Sequence, residues 1–136
     1  MLAEAQNILA SQPFSVLLKT EMLHFASGEV VMKIPITKDI TQQYGFVHGG
    51  ALGYAADNAL TFAGASMLQA LCVSSEYKIN FVRPAIGDFL LAKASVVYAG
   101  KSQAVCRCDI FVSKDGVDKL CATAQGTIVK MSQGSK

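Results

Sequence analysis

The stretch Gln42-Gln43-Tyr44-Gly45-Phe46-Val47-His48-Gly49-Gly50-Ala51-Leu52-Gly53-Tyr54-Ala55-Ala56-Asp57 joins a polar loop to a long apolar segment. Two consecutive glycines follow His48 where that segment begins, and one acid, Asp57, lies in its first half. A carboxylate inside an apolar helix is costly unless it is partnered or used. Glycines at a helix start let other backbone, or a ligand, approach bare N–H groups. Together the two features point to an oxyanion site beside a placed carboxylate.

Working outward from His48, residues 49–71 are apolar or small on nearly every side. That pattern marks a buried helix of about 20 residues, roughly 30 Å long. Upstream, Leu2, Ala3, Ala5, Ile8 and Leu9 recur at helical spacing, so a short amphipathic helix is expected over residues 2–11, ended by Pro13. Residues 15–25 and 29–36 are β-rich runs on either side of Ser27-Gly28 and read as a hairpin. Residues 37–47 are polar and irregular. Four strands follow the long helix, over residues 73–82, 88–98, 102–113 and 117–131, with glycine at 87, 100 and 116 in the turns between them. Connections this short call for antiparallel neighbours, which gives a four-strand meander. Residues 132–136 read as a frayed tail. The expected fold class is α+β: one curled antiparallel sheet wrapped around one long central helix, as a single domain over residues 1–136. Such a sheet leaves edges to cover, and dimerisation through edge strands is the simplest cover.

Composition narrows the function. Hydrophobic residues make up 51% and charged ones 16%, an apolar balance that suits a buried helix, a subunit interface or both. A net charge of +2 without a Lys/Arg cluster argues against nucleic acid as a partner. The low-charge stretch 49–72 carries Asp57 and Asn58 near its centre. An acid at the centre of a membrane helix costs about 2.5–3.5 kcal/mol, so no membrane partner is expected. Residues 1–11 include Glu4 and no apolar run of the secretory kind, and the chain reads as cytoplasmic. Cys72, Cys106, Cys108 and Cys121 show no C-x-x-C spacing. Cys106 and Cys108 would share one face of a strand, but no His lies nearby in sequence. Small buried thiols are the expected reading, and no metal or cofactor is called for.

The order of elements resembles the hotdog fold, and the loop–helix motif is similar to that of thioesterases of the phenylacetate-pathway (PaaI) type. The motif is Gln42-x2-Gly45-x2-His48-Gly49-Gly50-x6-Asp57. Val73-Ser74-Ser75-Glu76-Tyr77-Lys78-Ile79-Asn80-Phe81-Val82-Arg83-Pro84-Ala85 also resembles that family's segment after the helix, where a Ser or Thr ten residues before the Pro faces the site. Here that residue is Ser74. The resemblance implies hydrolysis of an acyl-CoA substrate in active sites shared across a homodimer, often paired again as a homotetramer. It also implies that Asp57 of one subunit faces the loop of residues 42–49 of the other. One departure is Gln42, where the subfamily commonly has Asn; both are carboxamides, with a role in binding water or the thioester carbonyl.

Thioester hydrolysis needs a carboxylate that attacks or activates water, and donors for the developing oxyanion. Asp57 fits the first role, as general base or as nucleophile forming an anhydride. The competing reading is a structural Asp bonded to a hydroxyl such as Thr61, one turn on. Gly49 supplies an N–H with no intrahelical partner, at the positive end of the helix dipole, with Gly50 beside it for the substrate. His48 holds the loop by hydrogen bonding. His24 is read as structural. Thr61 and Ser74 position water or serve ordinary local bonding. Arg83 and Lys101 sit at strand ends, within reach of CoA phosphates or simply solvated. Gly53, Ala56, Gly64, Phe62 and Met67 read as packing. Two other functions are weighed beside hydrolysis: an acyl-thioester hydratase or dehydratase on the same fold, and a non-catalytic acyl-CoA binding protein.

Overall fold

The computed structural model describes residues 1–131, so the tail expected over 132–136 lies outside the described residues. The chain runs α1 (Leu2–Ala10), α2 (Pro13–Leu17), β1 (Glu21–Ala26), β2 (Glu29–Pro35), a 3-10 turn (Lys38–Ile40), α3 (Gly49–Leu68), β3 (Cys72–Phe81), β4 (Phe89–Ala99), β5 (Gln103–Lys114) and β6 (Val117–Lys130). The six strands form one sheet in the order β1-β2-β4-β5-β6-β3, and every neighbouring pair is antiparallel.

The sheet curls around α3, as expected. The helix presents Ala55, Ala56, Ala59, Leu60 and Ala63 to Leu90, Ala92, Cys106, Ile110, Ala122 and Ile128 of the inner strands, all buried. Small side chains on both surfaces let helix and sheet approach closely. Gly64 shows how closely: a Cβ there would stand 2.7 Å from Ile128 Cβ. Gln69, in the left-handed region at φ 52°, ends α3 by donating its N–H to Ala65 O at 2.8 Å. The helix therefore stops three residues before the expected position 71.

Two expectations need correction. The strand expected from residue 15 begins only at Glu21, and residues 13–17 form α2 instead. Pro13 stands at the first helical position, where its fixed φ suits the turn and its missing N–H costs nothing. Apolarity in Val16 and Leu17 read as strand, yet these side chains, like Phe14 before them, are largely exposed. Likewise β3 does not pair with β4 as a meander requires; it pairs with β6, at the far edge of the sheet. The segment 82–88 makes this possible, because it crosses the ends of β6 and β5, roughly 14 Å at about 4.8 Å per strand. Its backbone is bonded at both ends: Val82 N–H donates to Cys121 O (2.9 Å) and Asp88 N–H to Ser113 O (2.7 Å). Gly87 lies so close to that edge that a Cβ would be 2.6 Å from Ser113 O. Antiparallel direction is kept, but with two strands intervening.

Edge strand β3 carries a bulge between Ser74 and Glu76. The extra residue changes which side chains face the helix. Cys72 and Ser74 line a cavity against α3 on one side of the bulge. On the other side, the Tyr77 hydroxyl donates to Gly53 O at 3.3 Å and the Phe81 ring lies 3.5 Å from where a Gly49 Cβ would be.

Candidate active site

The loop before α3 is built by its own backbone. Gln42 N–H donates to Phe46 O (2.9 Å), Gly45 N–H to Gln42 O (3.0 Å), and the Gln42 side-chain oxygen accepts from Tyr44 N–H. Gly45 has φ +93°, which favours glycine. Val47 N–H donates to Ala85 O at 3.0 Å and His48 N–H to Ile40 O at 2.8 Å, so the loop is pinned between the crossing segment and the 3-10 turn. His48 then caps α3: its backbone is extended, and its Nδ1 accepts from Gly50 N–H at 2.8 Å. A Cβ on Gly50 would meet that nitrogen at 2.9 Å. The Gly50 N–H is thus committed to His48, whereas the Gly49 N–H has no partner among the described residues.

Asp57 lies eight residues further along α3 and is half-buried. Thr61 Oγ1 donates to the main-chain carbonyl of Asp57 at 2.8 Å, not to its carboxylate. The carboxylate has no hydrogen bond or ion pair among the described residues. It borders a cavity of about 240 Å³ together with Tyr54, Asn58, Thr61, Cys72 and Ser74. The structure thus brings Asp57, Thr61 and Ser74 together.

Gly49 belongs to a different cavity of about 440 Å³, lined also by Phe46, Leu52, Phe81 and Arg83. At 1.5 Å rise per residue, Gly49 and Asp57 are about 12 Å apart along the helix. Gln42 borders neither cavity. Arg83 also borders an opening of about 580 Å³ with Lys114 and Lys119, two cations that the strand-end reasoning had not singled out. Lys101 is at the opposite end of the sheet, in the β4–β5 turn beside Ser102, whose carbonyl accepts from Lys130 N–H. Within one chain, Arg83 and Lys101 are separated by the length of β3, roughly 30 Å at about 3.3 Å per residue.

Beside Asp57 lies a polar network that the sequence signals only through Tyr54 and Asn58, two polar side chains four apart on a mainly apolar helix. Tyr54 donates to Ser15 Oγ at 2.6 Å, and a 2.8 Å bond links the Tyr54 and Thr20 hydroxyls. Ser15 donates to Gln12 Oε1 at 2.6 Å, and Asn58 Nδ2 reaches the same oxygen at 3.2 Å. Ser15 is buried, so this network ties α2 firmly to the face of α3 that carries Asp57.

The four cysteines are free. Burial pushes the Cys106, Cys108 and Cys121 thiols up to about 11, 12 and 11, with Cys72 adding to the shift at Cys106 and Asp109 at Cys108. Burial also raises Cys72, against the pull of Lys130. A thiol titrating near 11 is ionised about one part in a thousand at pH 8, and only the thiolate reacts. Native protein at pH 8 should therefore react with a thiol reagent slowly and only at Cys72, the half-buried thiol, with all four reacting once it is unfolded. Rapid reaction of more than one thiol in the native state would contradict this packing.

Among the described residues no helix is long and apolar enough to cross a membrane, and no cluster of three or more His, Cys, Asp and Glu side chains could hold a metal ion.

Comparison with known proteins places this architecture. The Thioesterase superfamily family model matches residues 44–119. No curated protein matches. A thioesterase family protein from Silicibacter pomeroyi superposes with a TM-score of 0.89 at 28% identity, over 93% of this chain and 94% of that one. The E. coli PaaI protein from the phenylacetic acid degradation operon gives 0.84 at 25% identity, over 96% and 92%. Zebra fish thioesterase superfamily member 2 gives 0.81 at 30% identity, over 93% and 96%. The long helix wrapped by a six-stranded antiparallel sheet is the hotdog fold of these proteins. With the family match spanning more than half its length, this chain belongs to the thioesterase superfamily.

Proposed function

We propose that the protein is a cytoplasmic acyl-CoA thioesterase that hydrolyses its substrate to free acid and CoA in active sites shared between two chains. The observation that carries this reading is the Asp57 carboxylate, unpartnered among the described residues and bordering a cavity beside the Ser74 side chain. A carboxylate left without a partner in a half-buried site is available to act on a substrate. Four free cysteines suit a reducing compartment.

The case for two chains rests on distance. A reacting carbonyl must lie about 3 Å from both the attacking group and the oxyanion donor. Gly49 and Asp57 of one chain are about 12 Å apart along the helix and border different cavities, so they cannot serve one carbonyl. Edge strand β3 offers the remedy. If two β3 strands pair antiparallel about a two-fold axis near Tyr77 and Lys78, the Ser74 end of one meets the Phe81 end of the other. The Asp57 cavity of each chain then adjoins the Gly49 cavity of its partner. Exposed Val73, Tyr77, Phe81 and Val82 provide apolar surface for such a contact. Pairing of these dimers into a dimer of dimers would cover further surface.

In that site Asp57 either takes a proton from a water that adds to the thioester carbonyl, or attacks the carbonyl itself to form an anhydride that water then opens. The carbonyl oxygen becomes the oxyanion, held by the Gly49 N–H of the other chain at the positive end of its helix. The C–S bond breaks and CoA leaves as the thiolate. Ser74 and the lone pairs of Thr61 are placed to hold the water. Gln42 borders neither cavity and its carboxamide oxygen is taken by Tyr44, so its part is to shape the loop, while His48 fixes the turn that aims Gly49.

The same two-fold brings Arg83 of one chain and Lys101 of the other to one end of the shared site, where CoA phosphates would lie. Arg83→Ala and Lys101→Ala should each raise KM for acyl-CoA more than they lower kcat, because phosphate contacts hold ground and transition states alike. A substrate truncated to the pantetheine arm should show no such penalty. Equal penalties on both substrates would remove these two residues from CoA binding.

The test of the reading is a panel of acyl-CoAs assayed for free thiol. Stoichiometric CoA release is expected. Conversion of the acyl chain without thiol release would indicate a hydratase, and binding without turnover a carrier or sensor.

A further inference from the structure

A further cavity, about 410 Å³, lies between α1 and α3. Ala5 and Ile8 of α1 form one wall, and Phe62 and Ala65 of α3 the other, with Phe25 of β1 between them. It neighbours the Asp57 cavity, with Asn58, Thr61 and Cys72 bordering both. Its size falls within the ordinary range of small-molecule sites, and its lining is mainly apolar. Phe25 and Phe62 stand edge to face with ring centroids 6.2 Å apart, a fixed aromatic surface rather than a loose one.

The α1 wall is tied down at several points. Ala5 and Leu9 are buried in the core, and Gln6 Nε2 donates to Met22 O at 3.2 Å. At the far end of α1, Gln12 is held by Ser15 and Asn58 in the network already described. A wall fixed in this way gives the cavity a definite depth. The polar groups there belong to Glu4, Gln12, Asn58, Thr61, Ser66 and Gln69, and no cation borders the space apart from the chain's amino terminus at Met1.

We propose that this cavity receives the distal part of the acyl group, and that α1 sets its length, making the enzyme selective for apolar acyl chains of medium length over acetyl. This rests on the reading of Asp57 as the reacting carboxylate. An acetyl group at Asp57 would leave the cavity unfilled, whereas a chain of several methylenes would enter it past Thr61 and Cys72.

The experiment compares kcat/KM for acetyl-, butyryl-, hexanoyl-, octanoyl- and dodecanoyl-CoA. Each methylene that enters should raise kcat/KM about fourfold, from about 0.8 kcal/mol per buried methylene, until the α1 wall is reached. Ala65→Leu fills the cavity and should cut the octanoyl-to-butyryl ratio at least tenfold. Ile8→Ala trims the wall at a half-exposed residue, with little risk to folding, and should move the optimum to longer chains. Asn7→Leu adds apolar bulk to α1 at an exposed residue that does not border the cavity, and should leave the ratio unchanged. Opposite shifts from Ala65→Leu and Ile8→Ala cannot arise from simple misfolding.

CoA release that is flat from acetyl to octanoyl, or ratios unmoved by both variants, would overturn the acyl cavity while leaving the thioesterase reading intact. A folded protein that hydrolyses no member of the panel would overturn both.

Discussion

Replacing Asp57 by Asn should lower kcat by about 10²–10⁴-fold, the scale of one acid–base group, while the melting temperature stays within a few degrees of wild type. The amide keeps the shape of the carboxylate but neither takes a proton nor attacks. Stability should hold because nothing is broken: the Asp57 carboxylate has no bonded partner among the described residues, and Thr61 is held by the main-chain oxygen, which the substitution leaves in place. Asp57→Ala should be at least as inactive and fold as well, since alanine suits a helix interior better than aspartate. Because base and nucleophile mechanisms both lose their carboxylate, the result does not depend on which operates. Circular dichroism melts and CoA release together decide the matter. Near wild-type turnover in folded Asp57→Asn would remove Asp57 from the chemistry and sink the assigned mechanism.

What the sequence could carry was local. His48-Gly49-Gly50 marked the helix start to the residue, because two glycines after a residue able to cap are a strong break in pattern. The alternating strands and their glycine turns placed β4, β5 and β6 within one residue at each end. Two failures had tertiary causes. Pro13 was read as a helix end when it is a helix start, since a second short helix, α2, begins there and is tied to α3 through Ser15 and Gln12. The partner of β3 depended on where residues 82–88 run, which is decided by hydrogen bonds to Cys121 and Ser113 far away in sequence. The same limit applied to the candidate site. Spacing could name Asp57, Gly49, Arg83 and Lys101, but it carried no distances between them, and those distances argue for two chains. Nor did it reveal that Gly50 is committed to His48, or that Tyr54 and Asn58 tie α2 to the helix beside Asp57.

Gly49→Pro should lower kcat about 10²–10³-fold, the usual loss on removing one oxyanion donor, without unfolding the protein. The position accepts proline on geometric grounds. Gly49 is the first residue of α3, where proline is favoured and its missing N–H breaks no helical bond. His48 before it is already extended, at φ −63° and ψ 137°, as a residue preceding proline must be. The space is also there, since the atoms nearest to a Cβ at Gly49 belong to the Phe81 ring, at 3.5 Å and beyond. This variant therefore subtracts one N–H and little else, and in the proposed two-chain site it lies in the opposite half from Asp57. Co-expressed with Asp57→Ala, it should rescue activity. Half of randomly paired dimers are mixed, and each mixed dimer holds one site with both defects and one with neither, so about a quarter of wild-type activity should return. Differently tagged subunits purified through both tags should show half. Verified mixed dimers no more active than either parent would mean that Asp57 and Gly49 do not act on one substrate across the interface, and the 12 Å separation along α3 would then exclude Gly49 as the oxyanion donor.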